Sequence, residues 1–312
     1  MLNFSLAIAG GCLGLYFGGD LLLRGATELG RRLGWSAAVI GFVLVSLGTS
    51  APELFVSVQA AIQGYGDIAA GNVVGSNIVN IAVVLGLGAL IFPLAVNESV
   101  RRHQLPSMLV VTMVGFFFLL DGLVTRTEGI VLVAAAFASV WWAMRVDGLI
   151  DVVDAVSNET SESIEQTLLQ TLGFVVGGVL LLVLGAEGLI WGGVGLAAYF
   201  GVPEAVIALT VTSVGTGLPE ITATILAVLR KSADLAIGNV VGSNLLNLGL
   251  VLGVSSIIAP ISSGGVEMLP LSVMLVLTFL LGGLAWRPAR INRWVGGGLL
   301  VGFIAYTVLL VR

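Results

Sequence analysis

Ten apolar stretches, each long enough to cross a lipid bilayer as a helix, constrain the fold of this chain more than any other feature. A bilayer-spanning helix needs roughly 20 mostly apolar residues. The stretches cover about residues 5–24, 35–62, 66–93, 105–124, 127–146, 168–200, 204–229, 232–260, 269–286 and 291–311. They are continuous and rich in glycine rather than alternating, which predicts helices and not membrane strands. With 57% hydrophobic residues, the chain is predicted to be an all-α membrane protein with ten transmembrane helices.

The positively charged residues are distributed unevenly around these stretches. Eleven of the 13 follow odd-numbered stretches: Arg24, Arg31, Arg32, Arg101, Arg102, Arg145, Arg230, Lys231, Arg287, Arg290 and Arg293. Only Arg126 and Arg312 follow even-numbered ones. Because cytoplasmic loops carry an excess of Lys and Arg, both termini are expected to face away from the cytoplasm. No positive charge precedes Arg24, so the first span is predicted to be retained rather than cleaved as a signal peptide.

Charge and cysteine content indicate few partners. The net charge is -5, but six of the 18 acidic residues lie in the single segment 147–165, so the charge does not indicate a nucleic-acid partner. Cys12 is the only cysteine, which excludes an intrachain disulfide. The sequence indicates no cofactor and no obligate protein partner. The expected environment is the bilayer of the cell membrane.

Two motifs occur twice at a constant offset of 167 residues. SLGTSAPE (46–53) matches SVGTGLPE (213–220) at five of eight positions, and GNVVGSNIVN (71–80) matches GNVVGSNLLN (238–247) at eight of ten. The chain is therefore a duplication with five spans in each half. Since five is odd, the second half is predicted to enter the membrane in the opposite direction, as in the inverted-topology repeats of transporters. The predicted units are a first repeat over 1–146, a cytoplasmic acidic linker over 147–166 and a second repeat over 167–312.

The first motif places one glutamate in each half well inside a span. Glu53 and Glu220 lie in the second and seventh spans, where an ionised side chain costs at least a few kcal/mol on insertion scales. Thr49 and Thr216 each precede their glutamate by four residues and share its helix face. The proline before each glutamate is expected to kink the helix and free backbone carbonyls one turn earlier. Freed carbonyls are tolerated in a membrane where they line a cavity or are rebonded, so the motif predicts a group of oxygen donors.

The second motif adds neutral oxygen donors in the third and eighth spans. Residues spaced by four share a helix face; they are Asn72, Ser76 and Asn80 in one half and Asn239, Ser243 and Asn247 in the other. The GxxxG pairs Gly71/Gly75 and Gly238/Gly242 predict close approach of a neighbouring helix. Carboxylate, hydroxyl, amide and carbonyl oxygens without imidazole or thiolate suit hard cations, above all Ca²⁺ and, by the same size logic, Na⁺.

Single polar residues in membrane helices are more often interhelical contacts than ligands. Two buried acids that recur with the same neighbours favour a cation site instead. The other acidic pairs favour structural roles: Asp20 and Glu187 lie toward the ends of their spans, and Asp67 and Asp234 begin spans as helix N-terminal acids. His103, in a basic RRHQ loop on the predicted cytoplasmic side, is expected to be interfacial.

The paired GTSAPE/GTGLPE and GNVVGSN motifs resemble the two alpha-repeats of the cation/calcium exchanger superfamily, in particular its prokaryotic sodium/calcium exchanger branch. The resemblance covers essentially the whole chain. It implies a core of spans 2, 3, 7 and 8 around the ions, with long, tilted spans 1 and 6 that slide across it. It further implies that Glu53 and Glu220 are shared central ligands, and that Thr49 and Thr216 are calcium ligands through hydroxyl and backbone oxygens.

The remaining ligands implied by the resemblance are hydroxyl, amide and carbonyl groups. They are Ser50, Ser76 and the carbonyl of Ser46 for an inner sodium site, Ser243 and the carbonyl of Ser213 for an outer one, and Asn80 and Asn247 lining the middle. The sequence departs from the family pattern at Gly217, where the second repeat often has a serine matching Ser50. A hydroxyl is therefore missing from the outer site. An aspartate occupies the position of Asn247 in potassium-dependent relatives, so the amide here argues against potassium coupling.

We therefore expect a secondary antiporter, not an enzyme, that exchanges Na⁺ for Ca²⁺ across the cell membrane by alternating access and extrudes Ca²⁺. The closest rival is a calcium/proton exchanger of the same fold, in which either glutamate titrates. Against it, the proton-coupled branch typically carries an acid where GNVVGSN has serine and asparagine. Exchange of another divalent cation, or of Li⁺ for Ca²⁺, remains open.

Two other classes are weighed against the antiporter. An intramembrane hydrolase could use Ser50 or Ser76 with His103, but the lone histidine has no counterpart in the second half and the duplication would be unexplained. The GGD at 18–20 resembles only a fragment of a membrane aspartyl-protease motif. A passive channel is harder to exclude from residues alone, and counterflow of labelled Ca²⁺ separates it from a carrier.

Overall fold

Helices joined by short connections make up almost all of the described chain. The computed structural model describes residues 1–146, 167–201, 215–286 and 290–310. In chain order the helices are α1 (Leu2–Leu33), α2 (Ala37–Thr49), α3 (Ala51–Ile62), α4 (Gly66–Ile91), α5 (Val100–Leu120), α6 (Arg126–Val146), α7 (Leu168–Tyr199), α8 (Leu218–Leu229), α9 (Ala233–Ile258), α10 (Met268–Ala285) and α11 (Arg293–Leu310). Four short strands are present: β1 (Leu94–Ala95), β2 (Leu123–Val124), β3 (Ile261–Ser262) and β4 (Arg290–Ile291).

Eight of the described helices are long and apolar enough to cross a membrane. Helices α2 and α3 raise the number to nine when they are counted as one span bent by 45°. The prediction of an all-helical, multi-pass membrane protein is confirmed. Of the predicted span 204–229, only α8 lies in the described part of the chain, and the predicted linker 147–166 lies outside it.

The two longest helices, α1 and α7, have 32 residues each and pack along one another. At 1.5 Å per residue each is about 48 Å long, well beyond the roughly 30 Å hydrocarbon core of a bilayer. The prediction of 5–24 for the first span was too short. Glu28 binds Arg31 at 3.0 Å and Arg32 at 2.7 Å, and these pairs support the helix beyond its apolar part.

Glycines bring the backbones of α1 and α7 into direct contact. A Cβ atom added to Gly11 would lie 2.7 Å from the carbonyl oxygen of Gly185, and one added to Gly18 would lie 2.9 Å from that of Gly178. The 167-residue offset converts the first contact into the second, with the two helices exchanged. The strand pairs behave likewise, since the offset converts the antiparallel pair β1–β4 into β3–β2.

A matched pair of arginines closes the ends of the two central helices. Arg126 donates to the carbonyl of Ile258 at 3.4 Å, and Arg293 donates to that of Ile91 at 3.3 Å. Ile258 and Ile91 are the last residues of α9 and α4, where unpaired carbonyls favour a cation. This contact gives Arg126 a structural reason to lie on the side of the membrane where the sequence places few positive residues.

The central helices α4 and α9 are the most buried of the predicted spans and each changes to a π-helix midway. The π-helical segments are Asn80–Leu85 and Asn247–Leu252, and a third, Ile40–Val45, lies in α2. Such wider turns are often found at functional sites. A fourth, Val100–Gln104, begins α5, so His103 lies in a helical turn rather than in the predicted loop.

Candidate functional site

The two glutamates occupy matching positions at the beginning of short helices. Glu53 lies in the first turn of α3 and Glu220 in the first turn of α8, and both side chains are 1% exposed. The prolines before them occupy an initial helical position, where the missing N–H is not needed. Helix α2 ends completely before α3 begins, so the predicted kink takes the form of a break. The positive end of each helix dipole therefore lies next to a carboxylate.

The helix breaks have nearly identical backbone conformations. Ser50, before α3, has φ -82° and ψ 5°, and Gly217, before α8, has φ -84° and ψ 3°. These angles are available to any residue. The glycine is therefore not required by the backbone, and the difference between Ser50 and Gly217 is a difference of side chain only.

The hydroxyl of Ser50 joins the two halves of the chain. Its Oγ donates to Oε1 of Glu220 at 3.4 Å. Both carboxylate oxygens of Glu53, and Oε2 of Glu220, are buried and have no hydrogen-bond partner among the described residues. Burying ionised oxygens without partners is costly. Three carboxylate oxygens are thus available to a cation.

Thr49 lies at the centre of a second group of oxygens. Its Oγ1 lies 3.3 Å from the carbonyl oxygen of Ser46, 3.3 Å from Oδ1 of Asn239 and 3.4 Å from Oγ of Ser243. The Ser46 carbonyl also accepts from the N–H of Ser50 at 2.9 Å. The structure therefore brings Ser46, Thr49 and Ser243 together, as the sequence predicts. All three are fully buried.

The remaining predicted residues are placed less completely. Ser76, Asn80 and Asn247 are buried, and Oγ of Ser76, Nδ2 of Asn80 and both amide atoms of Asn247 lack partners among the described residues. The two asparagines begin the π-helical segments of α4 and α9. Thr216 is half-buried directly before the break at Gly217, and Ser213 lies outside the described residues.

Two hydroxyl residues were not singled out by the sequence analysis. Nδ2 of Asn72 donates to Oγ of Ser57 at 2.9 Å, and Nδ2 of Asn239 donates to Oγ1 of Thr224 at 3.0 Å. Ser57 and Thr224 each follow a glutamate by one helical turn and match at the offset of 167. That repetition is the signal that could have identified them.

The two GxxxG motifs differ in packing. Gly238 and Gly242 are buried against α2, where an added Cβ atom would lie 3.0 Å from the backbone nitrogen of Phe42 and 2.7 Å from Oγ of Ser46, respectively. Gly71 is exposed and Gly75 is half-buried. The predicted close approach of a neighbouring helix is therefore observed for the second motif, whereas the matching face of α4 is open.

The outlying acidic residues make structural contacts. Asp20 binds Arg24 at 2.8 Å and also Arg230, at the end of α8, whereas its repeat mate Glu187 is exposed. Asp67, in the first turn of α4, accepts from the N–H of Gly265 at 2.8 Å. These contacts agree with the structural roles expected for Asp20 and Asp67.

The donor set consists of two carboxylates with hydroxyl, amide and carbonyl oxygens. The described residues contain no group of three or more His, Cys, Asp or Glu side chains that could hold a metal ion. Flexible neutral oxygens around two carboxylates suit hard cations such as Ca²⁺ and Na⁺. The multi-pass helical fold and this buried donor set are those of a membrane cation transporter.

Comparison with known proteins identifies the family. The sodium/calcium exchanger protein family matches residues 4–145 and 170–312, so the chain belongs to it. It lies in the prokaryotic branch of the cation/calcium exchanger superfamily. Members of this family are transporters rather than enzymes, and the chain is a cation/Ca²⁺ antiporter.

Individual relatives match over almost the whole length. The chain is 33% identical to inner membrane protein YrbG of Escherichia coli, over 96% of this chain and 94% of YrbG. It is 28% identical to the sodium/calcium exchanger MaX1 of Methanosarcina acetivorans, over 96% of both chains. A structure of the sodium-calcium exchanger NCX_Mj superimposes with a TM-score of 0.82 at 26% identity, covering 99% of this chain and 98% of NCX_Mj.

Proposed function

We propose that this chain exchanges Na⁺ for Ca²⁺ across the cell membrane by alternating access and uses the inward sodium gradient to extrude Ca²⁺. The observation that carries the proposal is the buried pair Glu53 and Glu220, with three unpartnered carboxylate oxygens and a hydrogen bond from Ser50 that joins the halves. The names of the relative MaX1 and of NCX_Mj support the choice of ions.

In this proposal the two glutamates are ligands shared by both ions. The other ligands are the hydroxyl groups of Thr49, Thr216, Ser50, Ser76 and Ser243, the amides of Asn80 and Asn247, and the carbonyls of Ser46 and Ser213. Ca²⁺ binds between the glutamates and threonines, and Na⁺ binds at flanking sites. Because the ions share ligands, each lowers the affinity for the other.

Charge explains why transport is an exchange rather than a leak. Two ionised glutamates give the site a charge near -2, which is too costly to enclose in a closed, dehydrated membrane interior. One Ca²⁺ or several Na⁺ ions neutralise it. Helices α1 and α7 then slide across the core on their glycine contact, and access changes from one side of the membrane to the other.

The full architecture is proposed as ten transmembrane helices in two inverted five-helix repeats. The contacts that exchange partners under the 167-residue offset support a twofold relation between the halves. The distribution of Lys and Arg supports placing both termini outside the cytoplasm. In that orientation the open face of α4, around Gly71 and Gly75, lies toward the outside.

Ion flux in proteoliposomes tests the proposal. Sodium, proton and potassium gradients are imposed one at a time on the purified chain, and Ca²⁺ uptake is followed. The expected result is uptake driven by an outward-directed Na⁺ gradient alone. Uptake that follows a pH gradient without Na⁺ would contradict sodium coupling and favour the calcium/proton exchanger, in which an unpartnered glutamate oxygen accepts the proton.

A further inference from the structure

Asn239 is not among the proposed ligands, yet its side chain joins the ligand Thr49 to helix α8. It is fully buried in α9, and its two amide atoms make different contacts. Oδ1 accepts from Oγ1 of Thr49 at 3.3 Å, while Nδ2 donates to Oγ1 of Thr224 at 3.0 Å. The amide therefore connects the end of α2 with α8.

A hydroxyl group that binds a cation has to direct its single proton away from the ion. Three oxygens of the described chain lie within reach of the Thr49 proton: the Ser46 carbonyl, Ser243 Oγ and Asn239 Oδ1. The first two are themselves proposed ligands, and each would lose a lone pair by accepting the proton. Of the three, Asn239 alone can accept it without weakening another ligand.

The bond to Thr224 fixes which amide atom faces Thr49. An asparagine amide has two orientations related by a flip, and the hydrogen-bond network selects between them. With Nδ2 donating to Thr224, Oδ1 is directed at Thr49. The matching bond from Asn72 to Ser57, at the 167-residue offset, shows that both halves of the chain contain this type of link.

We propose that Asn239 is a positioning residue, held by Thr224, that accepts the Thr49 proton and thereby directs the Thr49 lone pairs toward the transported Ca²⁺. This inference rests on the proposed function, because it takes the Thr49 hydroxyl to be a calcium ligand. Loss of a partner that orients a metal ligand typically weakens metal binding about 10- to 100-fold.

A double-mutant cycle tests the inference. Ca²⁺ binding to the purified full chain is measured by calorimetry for Asn239→Leu, Thr49→Val and the double variant. Each single change is expected to weaken binding about tenfold, and the double variant should bind no more weakly than the weaker single one, because Asn239 acts through Thr49. In proteoliposomes the KM for Ca²⁺ should rise while the maximal rate is largely retained.

Two further variants separate positioning from general destabilisation. Asn77→Leu removes another buried amide, one that donates to the Val73 carbonyl of its own helix at 2.8 Å, and should leave Ca²⁺ affinity unchanged. Thr224→Val should weaken binding less than Asn239→Leu and remains informative if the latter fails to fold. Thermal unfolding checks the fold of each variant.

Independent, multiplying effects of Asn239→Leu and Thr49→Val would overturn the positioning role, as would equal affinities for Asn239→Leu and Asn77→Leu. Glu53→Gln in the same assay distinguishes this failure from failure of the proposed function. If Glu53→Gln abolishes Ca²⁺ binding while the cycle is additive, only the positioning role is wrong. If Glu53→Gln binds Ca²⁺ like the unchanged chain, both proposals are wrong.

Discussion

Glu53 and Glu220 occupy the same position in the two halves, but their surroundings differ. Both lie in the first turn of a helix, next to a break with nearly identical backbone angles. Glu220 accepts a hydrogen bond from Ser50, whereas both oxygens of Glu53 lack a partner among the described residues. Gly217 occupies the position that would supply the matching hydroxyl. The duplication thus sets the backbone of the site, and single side chains set its chemistry.

A second difference concerns the helices behind the glutamates. The GxxxG face of α9 is closed by α2, whereas the matching face of α4 is open at Gly71. A twofold-related pair of motifs therefore occurs in two packing states at once. Alternating access requires this kind of asymmetry, because the site has to be open on one side and closed on the other.

Removing either glutamate charge is expected to have the largest effect. Glu53→Gln and Glu220→Gln should each weaken Ca²⁺ binding by about 2–5 kcal/mol, at least about 30-fold in Kd, because each leaves the ion with one carboxylate. Calorimetric titration measures this. Glu187→Gln, at an exposed carboxylate, is the control. If only one of the two glutamates mattered, the shared site would be disproved.

Added side-chain volume should separate the closed face from the open one. Gly242→Ala places a methyl group against the carbonyl of Phe42 and should destabilise the fold by about 1–3 kcal/mol. Gly75→Ala meets no described atom within 4 Å and should change stability by less than about 0.5 kcal/mol. Thermal unfolding in detergent measures both. Equal losses would show that the two faces are packed alike.

Restoring the missing hydroxyl should make the halves more alike. Gly217→Ser fits the backbone at φ -84° and ψ 3°, and its oxygen would face Glu53 as Ser50 faces Glu220. We expect the sodium concentration for half-maximal exchange to fall about two- to tenfold, the equivalent of one additional polar contact. Ser50→Gly should raise it by a similar factor. An unchanged sodium dependence in both variants would exclude these positions from the sodium sites.

The smallest expected effect concerns the ion pair between α1 and α8. Asp20→Asn removes contacts with Arg24 and Arg230 and should lower stability by about 0.2–1 kcal/mol, because the pair is partly exposed. Glu187→Gln, at the exposed repeat mate, should lower it less. Unfolding at low and high salt measures both, and the effect of Asp20→Asn should shrink as salt rises.

The sequence predicted the helical membrane fold, the two buried glutamates and the grouping of Ser46, Thr49 and Ser243. Long apolar runs and a strict 167-residue offset are local signals, so they can be read without a structure. The break at Ser50 was also accessible, since proline in an apolar span requires an interruption.

Other features depend on contacts between distant parts of the chain. The π-helical turns at Asn80 and Asn247 and the different closure of the two GxxxG faces are set by helix packing rather than by local propensity. The length of α1 was underestimated because charged residues after Arg24 mark the end of an apolar run but not the end of a helix. The hydrogen bond from Asn239 to Thr224 required both helices in place.

The central claim is that Glu53 and Glu220, one from each half, bind a single transported Ca²⁺ ion. An anomalous-scattering map from crystals soaked in Ca²⁺ tests it most directly. The account predicts a peak about 2.3–2.6 Å from oxygens of both carboxylates, and its disappearance in Glu53→Gln. A peak at only one glutamate, or a Ca²⁺ ion bound elsewhere in the chain, would contradict the claim.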